Sequence, residues 1–278
     1  MANKYLVLGS SGQIGAHLIK YLRTRGHTAE TFDIVDGDAY DLRIVNNTLL
    51  EKKISEADFV FFLAFDVGGS RYLAKYQNTF QFIENNIQIM SNTFNLLKKY
   101  NKSFIFTSTQ MANMSHSSYG LLKSIGEKYT ATLGGLVVKL WNVYGAENDY
   151  EKSHVITDFI IKASTHNKID MISDGTEERQ FLYVEDCCEC LLTLAEKYDI
   201  LSRDKKYDVS SFRWNTINEI ALFVASNFEN VKILPSNEKD NVQQNKKNEP
   251  DRHILNFWKP TTNIEDGIKQ IIKEMNNG

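Results

Sequence analysis

At 278 residues with 42% apolar side chains, the chain is long enough for one large α/β domain, or a domain with a smaller lobe, and needs no staples to bury a core. Its 32 Lys and Arg against 35 Asp and Glu leave a net charge of −3 with both signs dispersed, so no basic field points to nucleic acid or an anionic membrane, and a small molecule is the expected partner. The longest apolar run, Phe59 to Phe65, is far too short to cross a bilayer, and Met1-Ala2-Asn3-Lys4 leads straight into a strand rather than a signal peptide, so a cytoplasmic protein is expected.

The first element sets the pattern. The apolar run Tyr5-Leu6-Val7-Leu8 meets Gly9-Ser10-Ser11-Gly12-Gln13-Ile14-Gly15, and Ile14, Leu18, Ile19 and Leu22 then recur at the three-to-four spacing of an amphipathic helix. This predicts strand, tight turn and helix. Gly9 can take backbone angles closed to other residues, Gly12 lets a ligand approach the main chain, and Gly15 lets helix and strand pack closely. The free N–H groups where the helix starts, at Gly12, Gln13 and Ile14, would face an anion, and a dinucleotide pyrophosphate fits that demand. The G-x-x-G-x-x-G spacing is one residue longer than the G-x-G-x-x-G fingerprint, so a purely structural turn stands as the alternative. A second strand over Thr28 to Ile34 lowers its weight. Asp33 falls about 20 residues past the glycines, where a carboxylate accepts hydrogen bonds from an adenosine ribose and repels a ribose phosphate. That favours NAD over NADP. Asp41-Leu42 follows, placed for the adenine side of the cofactor.

Val45 to Ile54 reads as a short helix, and Asp58 to Leu63 as a strand apolar throughout, as buried parallel strands are. The loop Ala64-Phe65-Asp66-Val67-Gly68-Gly69 leaves its carboxyl end, where ligand crevices of open α/β sheets lie, so Leu63 and Ala64 should border the cofactor. A helix from Thr79 to Tyr100, a strand from Ser103 to Thr107, a helix from Ser118 to Thr132 and a strand from Leu136 to Leu140 continue the alternation. Right-handed crossovers and a parallel, doubly wound sheet follow from it. Beyond Trp141 the rhythm changes. Val155 to Ala163, Ile217 to Ser226 and Ile264 to Met275 look helical between polar loops, as in a smaller substrate lobe, and Pro235 to Asp251 reads as a solvated loop. Cys187, Cys188 and Cys190 share a predicted helix without any Cys-x-x-Cys pair or nearby His cluster, so buried reduced thiols are expected and no metal site.

The chemistry is concentrated in Tyr119-Gly120-Leu121-Leu122-Lys123, which puts a phenol and an ammonium four residues apart on one helix face. Bringing a phenol from a pKa near 10 to roughly 7 takes about 4 kcal/mol of preferential stabilisation of the phenolate. Lys123, a nicotinamide's positive ring and partial desolvation would share that task, and Tyr119 would then exchange a proton with a substrate hydroxyl or carbonyl while hydride passes to or from the cofactor. The strand Phe104-Ile105-Phe106-Thr107-Ser108-Thr109 ends in hydroxyl residues facing the same crevice.

With these residues the chain resembles the extended short-chain dehydrogenase/reductase family, in particular its NAD-dependent nucleotide-sugar epimerases, dehydratases and reductases. The resemblance runs from Gly9, Gly12 and Gly15 through Asp33, Asp41-Leu42, Leu63-Ala64, Asn86, Thr107-Ser108-Thr109 and Tyr119/Lys123 to Trp141-Asn142-Val143-Tyr144-Gly145 and Arg179-Gln180-Phe181-Leu182-Tyr183-Val184-Glu185-Asp186. It implies a Rossmann-type sheet over 1–145, to which about 177–210 return, and a smaller α/β C-terminal lobe in 146–278. It also implies a homodimer joined through the helices at Thr79 to Tyr100 and Ser118 to Thr132. Thr107 would line the cofactor site, and Thr109 would hydrogen-bond the reacting sugar oxygen beside Tyr119. Asn86, Ser108, Asn142, Arg179 and Arg252 would contact substrate, the two arginines at its phosphates, since a guanidinium grips phosphate oxygens bidentately.

The departures narrow the reaction. Gln110-Met111 stands where the family's 4,6-dehydratases have Asp-Glu, which disfavours loss of water, and no cysteine lies near the active-site threonine, which disfavours a thiol acid/base. The expected activity is NAD-dependent chemistry at a secondary hydroxyl, C4, of a nucleotide-diphosphate sugar, as an epimerase. The alternatives are a net 4-dehydrogenase or keto-sugar reductase and, more remotely, a non-catalytic NAD-sensing protein.

Overall fold

The computed structural model describes residues 3–147, 153–239 and 248–277. In chain order its main elements are β1 (Lys4–Leu8), α1 (Gln13–Thr24), β2 (Thr28–Phe32), α2 (Thr48–Glu56), β3 (Phe59–Phe62), α3 (Ser70–Tyr76), α4 (Phe80–Lys99), β4 (Phe104–Thr109), α5 (Ser118–Thr132) and β5 (Leu136–Leu140). There follow β6 (Val143–Tyr144), α6 (Val155–His166), β7 (Lys168–Asp170), β8 (Glu178–Gln180), β9 (Leu182–Tyr183), α7 (Val184–Glu196), β10 (Lys206–Val209), β11 (Trp214–Thr216), α8 (Ile217–Ala225), β12 (Lys232–Leu234) and α9 (Ile264–Asn277).

Six strands form one sheet in the order β10-β5-β4-β3-β1-β2, with every neighbouring pair parallel. The fold is therefore the expected α/β one. The chain runs from β1 outward to β2, then crosses to the other side of β1 to build β3, β4 and β5. The order reverses between β1 and β3, and a crevice opens at the carboxyl ends of strands about such a point. Strand side chains alternate between two apolar layers. Tyr5 and Val7 pack with Leu18 and Leu22 of α1 and Leu191 of α7, whereas Leu6 and Leu8 pack with Phe62, Phe94 and Phe106. Burial on both faces is why these strands read as unbroken apolar runs.

Several boundaries moved for local reasons. The strand expected to Ile34 stops at Phe32, because the Asp33 carboxylate accepts from the Val35 N–H and caps a short 3-10 turn, Ile34–Asp36. The helix expected from Val45 starts at Thr48. Asn46 has a φ of 58°, which breaks helical geometry, and the Asn47 side chain caps α2 through the Leu50 N–H. Strand β4 extends past Thr107 to Thr109, since its pairing with β5 continues to Thr109 opposite Leu140.

Beyond the main sheet, the small two-stranded pairs β11-β8, β12-β7 and β6-β9 are too short to leave a periodic signal. Of the loop expected over 235–251, residues 240–247 lie outside the described residues. Cys187, Cys188 and Cys190 are free and buried, and burial pushes their thiols well above the ordinary range. Among the described residues, no helix is long and apolar enough to cross a membrane, and no three His, Cys, Asp or Glu side chains gather as a metal ion would need.

Candidate active site

A cleft of about 630 Å³ opens at the reversal point. Gly9, Gly12, Gln13, Ile14, Gly15, Asp33, Asp41, Leu42, Leu63, Ala64, Thr107, Ser108, Thr109, Tyr119, Lys123 and Asn142 all border it. Residues spread over 134 positions of sequence are thus brought to one wall, from Gly9 to Asn142.

The glycine turn works as its spacing suggests. Gly9 has a φ of +83°, and a Cβ there would come within 2.7 Å of the Ala64 backbone. A Cβ at Gly15 would lie 2.0 Å from the Gly9 carbonyl oxygen, so only glycine lets α1 start this close to β1. At Gly12 a Cβ would meet nothing nearer than that oxygen, at 3.5 Å. That side of the turn is open. Helix α1 begins at Gln13 after Gly12, without a side-chain cap, which leaves the N–H groups of its first turn free for phosphate oxygens. Asp33 is held facing this turn, its carboxylate accepting from the Ser11 N–H at 2.9 Å and the Val35 N–H at 3.2 Å. The Gly12 N–H is taken by the Gly9 carbonyl at 3.3 Å, so a dinucleotide here would meet the Gln13 and Ile14 N–H groups at its phosphates, with Gly12 giving room for approach, and the Asp33 carboxylate at a ribose.

At the other end of the cleft the Tyr119 hydroxyl hydrogen-bonds Thr109, and burial, the larger influence, pushes its phenol up to about 12. Lys123 moves the opposite way. It is 3% exposed, and burial brings its ammonium down to about 7, with Glu127 acting in the other direction. Its Nζ donates to the Thr107 carbonyl at 2.7 Å and lies 4.0 Å from the centroid of the Phe65 ring, which also packs edge-on against Tyr119 at 5.7 Å. The expectation of a phenol near neutrality counts on a nicotinamide's positive ring beside Lys123, and in the chain alone the phenol stands high. There burial outweighs the Thr109 hydrogen bond at Tyr119, and the Lys123 ammonium donates to the Thr107 carbonyl.

Three expected substrate residues do not border the cleft. Asn86 is wholly buried, with its amide oxygen accepting from the Asp66 N–H at 2.7 Å and its amide nitrogen donating to the Asp66 and Phe82 carbonyls. It pins the loop after β3. Arg179 is on β8 opposite Asn215 of β11, and its Nη1 donates to the Glu178 carbonyl at 2.7 Å. Arg252 is exposed on the turn Arg252–Asn256, its guanidinium 6.0 Å from the Phe212 ring. Ser108 does border the cleft, but its hydroxyl donates to the buried Glu127 at 2.6 Å.

Other residues enter that the sequence reading passed over. Arg43 grips both Asp41 oxygens and donates to Asn85, which in turn donates to Asp66. Its position directly after Asp41-Leu42 was the available signal. Glu147 and His154 border the cleft as well. The Glu147 carboxylate accepts from the His154 N–H at 2.8 Å and pairs with Nδ1 at 2.7 Å, which orients an imidazole that is 43% exposed. Seven positions separate the two, with no pattern to link them.

The family model for the NAD dependent epimerase/dehydratase family matches residues 5–210. Among curated proteins, UDP-glucuronic acid decarboxylase 1 of Arabidopsis thaliana is 21% identical, the match covering 99% of this chain and 70% of that protein. GDP-mannose 3,5-epimerase 1 of Oryza sativa subsp. indica is 25% identical, with 98% and 83% covered. Among solved structures, UDP-glucose 4-epimerase of Thermotoga maritima with UDP-glucose superposes with a TM-score of 0.81 at 19% identity, covering 99% of each chain.

Proposed function

The chain belongs to the NAD-dependent epimerase/dehydratase family, and from that premise we propose that it acts at the C4 hydroxyl of a nucleotide-diphosphate sugar as an epimerase. The observation that carries this reading is the Tyr119 hydroxyl hydrogen-bonded to Thr109 on the cleft wall, with Lys123 buried beside it. Bound NAD supplies the hydride acceptor and donor. Tyr119 takes the proton of the sugar hydroxyl and returns it, Thr109 holds the reacting oxygen, and Lys123 fixes the strand end through the Thr107 carbonyl. Turnover of the keto-sugar within the site and reduction from its other face would invert C4 with no net change in cofactor. A net dehydrogenase or keto-sugar reductase uses the same residues. Single turnover with a panel of UDP-, GDP-, CDP- and dTDP-sugars separates them: a C4-inverted product with unchanged nicotinamide absorbance supports the epimerase, and released NADH or a free keto-sugar rejects it.

A second reading is favoured by the Glu147–His154 pair. A ketone at C4 acidifies the neighbouring C–H bonds, and an imidazole oriented by a buried carboxylate can take such a proton from one face, leaving an enolate that water reprotonates from the other face while the imidazolium returns its proton to solvent. Solvent deuterium appearing at C3 or C5, and lost in His154→Asn, would support inversion there.

Assembly as a homodimer belongs to the same proposal. Helices α4 and α5 expose Phe80, Ile87, Leu121, Ile125 and Tyr129, an apolar surface suited to a two-fold pairing of the same helices. Sedimentation of a monomer at micromolar concentration would contradict it. The three free thiols suit a reducing, cytoplasmic setting.

A further inference from the structure

Behind the cleft wall lies a charged cluster that takes no part in lining it. Glu127 lies one helical turn beyond Lys123 and two beyond Tyr119 on α5, so the three share a face. It is 3% exposed and reaches three strands at once. It accepts from the Ser108 hydroxyl of β4 at 2.6 Å, pairs with Lys139 of β5 at 3.5 Å and pairs with Lys206 of β10 at 2.5 Å. Lys139 is itself buried and donates to Asn113 at 3.1 Å, in the turn that joins β4 to α5. Ser108 is flanked by the two residues that hold the reacting pair: Thr107, whose carbonyl takes the Lys123 hydrogen bond, and Thr109, which bonds the Tyr119 hydroxyl.

We propose that Glu127 is a positioning residue for the Tyr119–Lys123 pair: it ties α5 to the ends of β4, β5 and β10 and supplies the negative charge that holds the proton on Lys123. A merely structural tether would need no charge, and burying a carboxylate is costly unless cations meet it. Here two cations meet it while a third, Lys123, lies one turn away. The groups facing Lys123 are the Phe65 and Phe106 rings, the Thr107 carbonyl and Tyr119 and Glu127 on its own helix, and the charge acting on it comes from Glu127. Lys139 and Lys206 offset part of that charge. The Lys123 proton thus depends on a balance set behind the sheet.

The inference rests on the proposed role of Lys123, and its test needs no substrate, so it can fail or hold independently of the reaction assigned. Lysines labelled at Cε are titrated by NMR in the ligand-free protein, with Lys123→Met to assign the resonance. In Glu127→Gln the Lys123 midpoint should move down by about one pH unit, and in Glu127→Gln/Lys139→Met, which removes one charge of each sign, it should return toward the wild-type midpoint. Lys206→Met alters a half-exposed side chain, should leave the fold intact and should move the midpoint upward. It therefore decides the matter even where Glu127→Gln does not fold. An unmoved midpoint in Glu127→Gln, or in Lys206→Met, would overturn the proposal and leave Glu127 as a tether only.

Discussion

The burial of Lys123 gives a stability prediction with a definite pH window. Between its ordinary value of 10.5 and about 7 lie roughly 3.5 units, so burial disfavours the charged form by about 5 kcal/mol. The sign follows from proton uptake. As pH falls from above 10.5 the unfolded chain takes its proton first, the fold loses stability down to about pH 7, and below that the loss is complete. Lys123→Met keeps an unbranched chain of similar length and removes this dependence, at the cost of the hydrogen bond to the Thr107 carbonyl, which is the same at every pH. Relative to the wild type, the variant should therefore be favoured at pH 7 and lose about 3 kcal/mol of that advantage by pH 10. At about 2 °C per kcal/mol for a domain of this size, the difference in Tm between the two proteins should change by roughly 6 °C across the range. Thermal melts of both ligand-free proteins at closely spaced pH values measure it, with the shared titrations of all other groups cancelling in the difference. A Tm offset constant from pH 7 to pH 10 would refute the reasoning.

Three further outcomes are expected. Asp33→Ala should weaken NADH binding tenfold or more, as loss of about 1.5–3 kcal/mol of charge-assisted hydrogen bonding requires, and should admit NADPH. Fluorescence titration reads both, and equal affinities in the unmodified protein would remove Asp33 from cofactor choice. Gly15→Ala places a Cβ 2.0 Å from the Gly9 carbonyl oxygen and 2.8 Å from the Ser10 Cα, contacts that only a backbone shift relieves. Overpacking of this kind costs about 1–3 kcal/mol, so an unchanged Tm would show the turn to be softer than its geometry implies. Tyr119→Phe removes the proton-exchanging hydroxyl and should abolish turnover with NADH affinity within about twofold; turnover persisting at the wild-type rate would displace Tyr119 from the reaction.

The strand, turn and helix at Gly9 to Gly15 were legible because every cause is local: burial of Tyr5 to Leu8 on both faces, a positive φ at Gly9 and a helix face at Leu18 and Leu22. Asn86 shows where locality ends. Adjacent helix residues differ by about 100° in direction, so Asn85 borders the cleft while Asn86 points inward at Asp66, and a motif that fixes the pair does not say which side chain faces the ligand. Ser108 borders the cleft, but its hydroxyl turns onto Glu127. The protonation of the reacting pair was harder still. Spacing places Tyr119 and Lys123 on one face, but their proton affinities are set by burial, by Thr109 from β4 and by the Glu127 charge, and the burial involves Phe65 from the loop after β3. No window of sequence contains those groups together. Sequence could place Tyr119 and Lys123 together, whereas their proton affinities come from what the fold buries against them. Phe65 is the plainest instance, an aromatic side chain with no proton to exchange whose ring packs against the ammonium and the phenol at once.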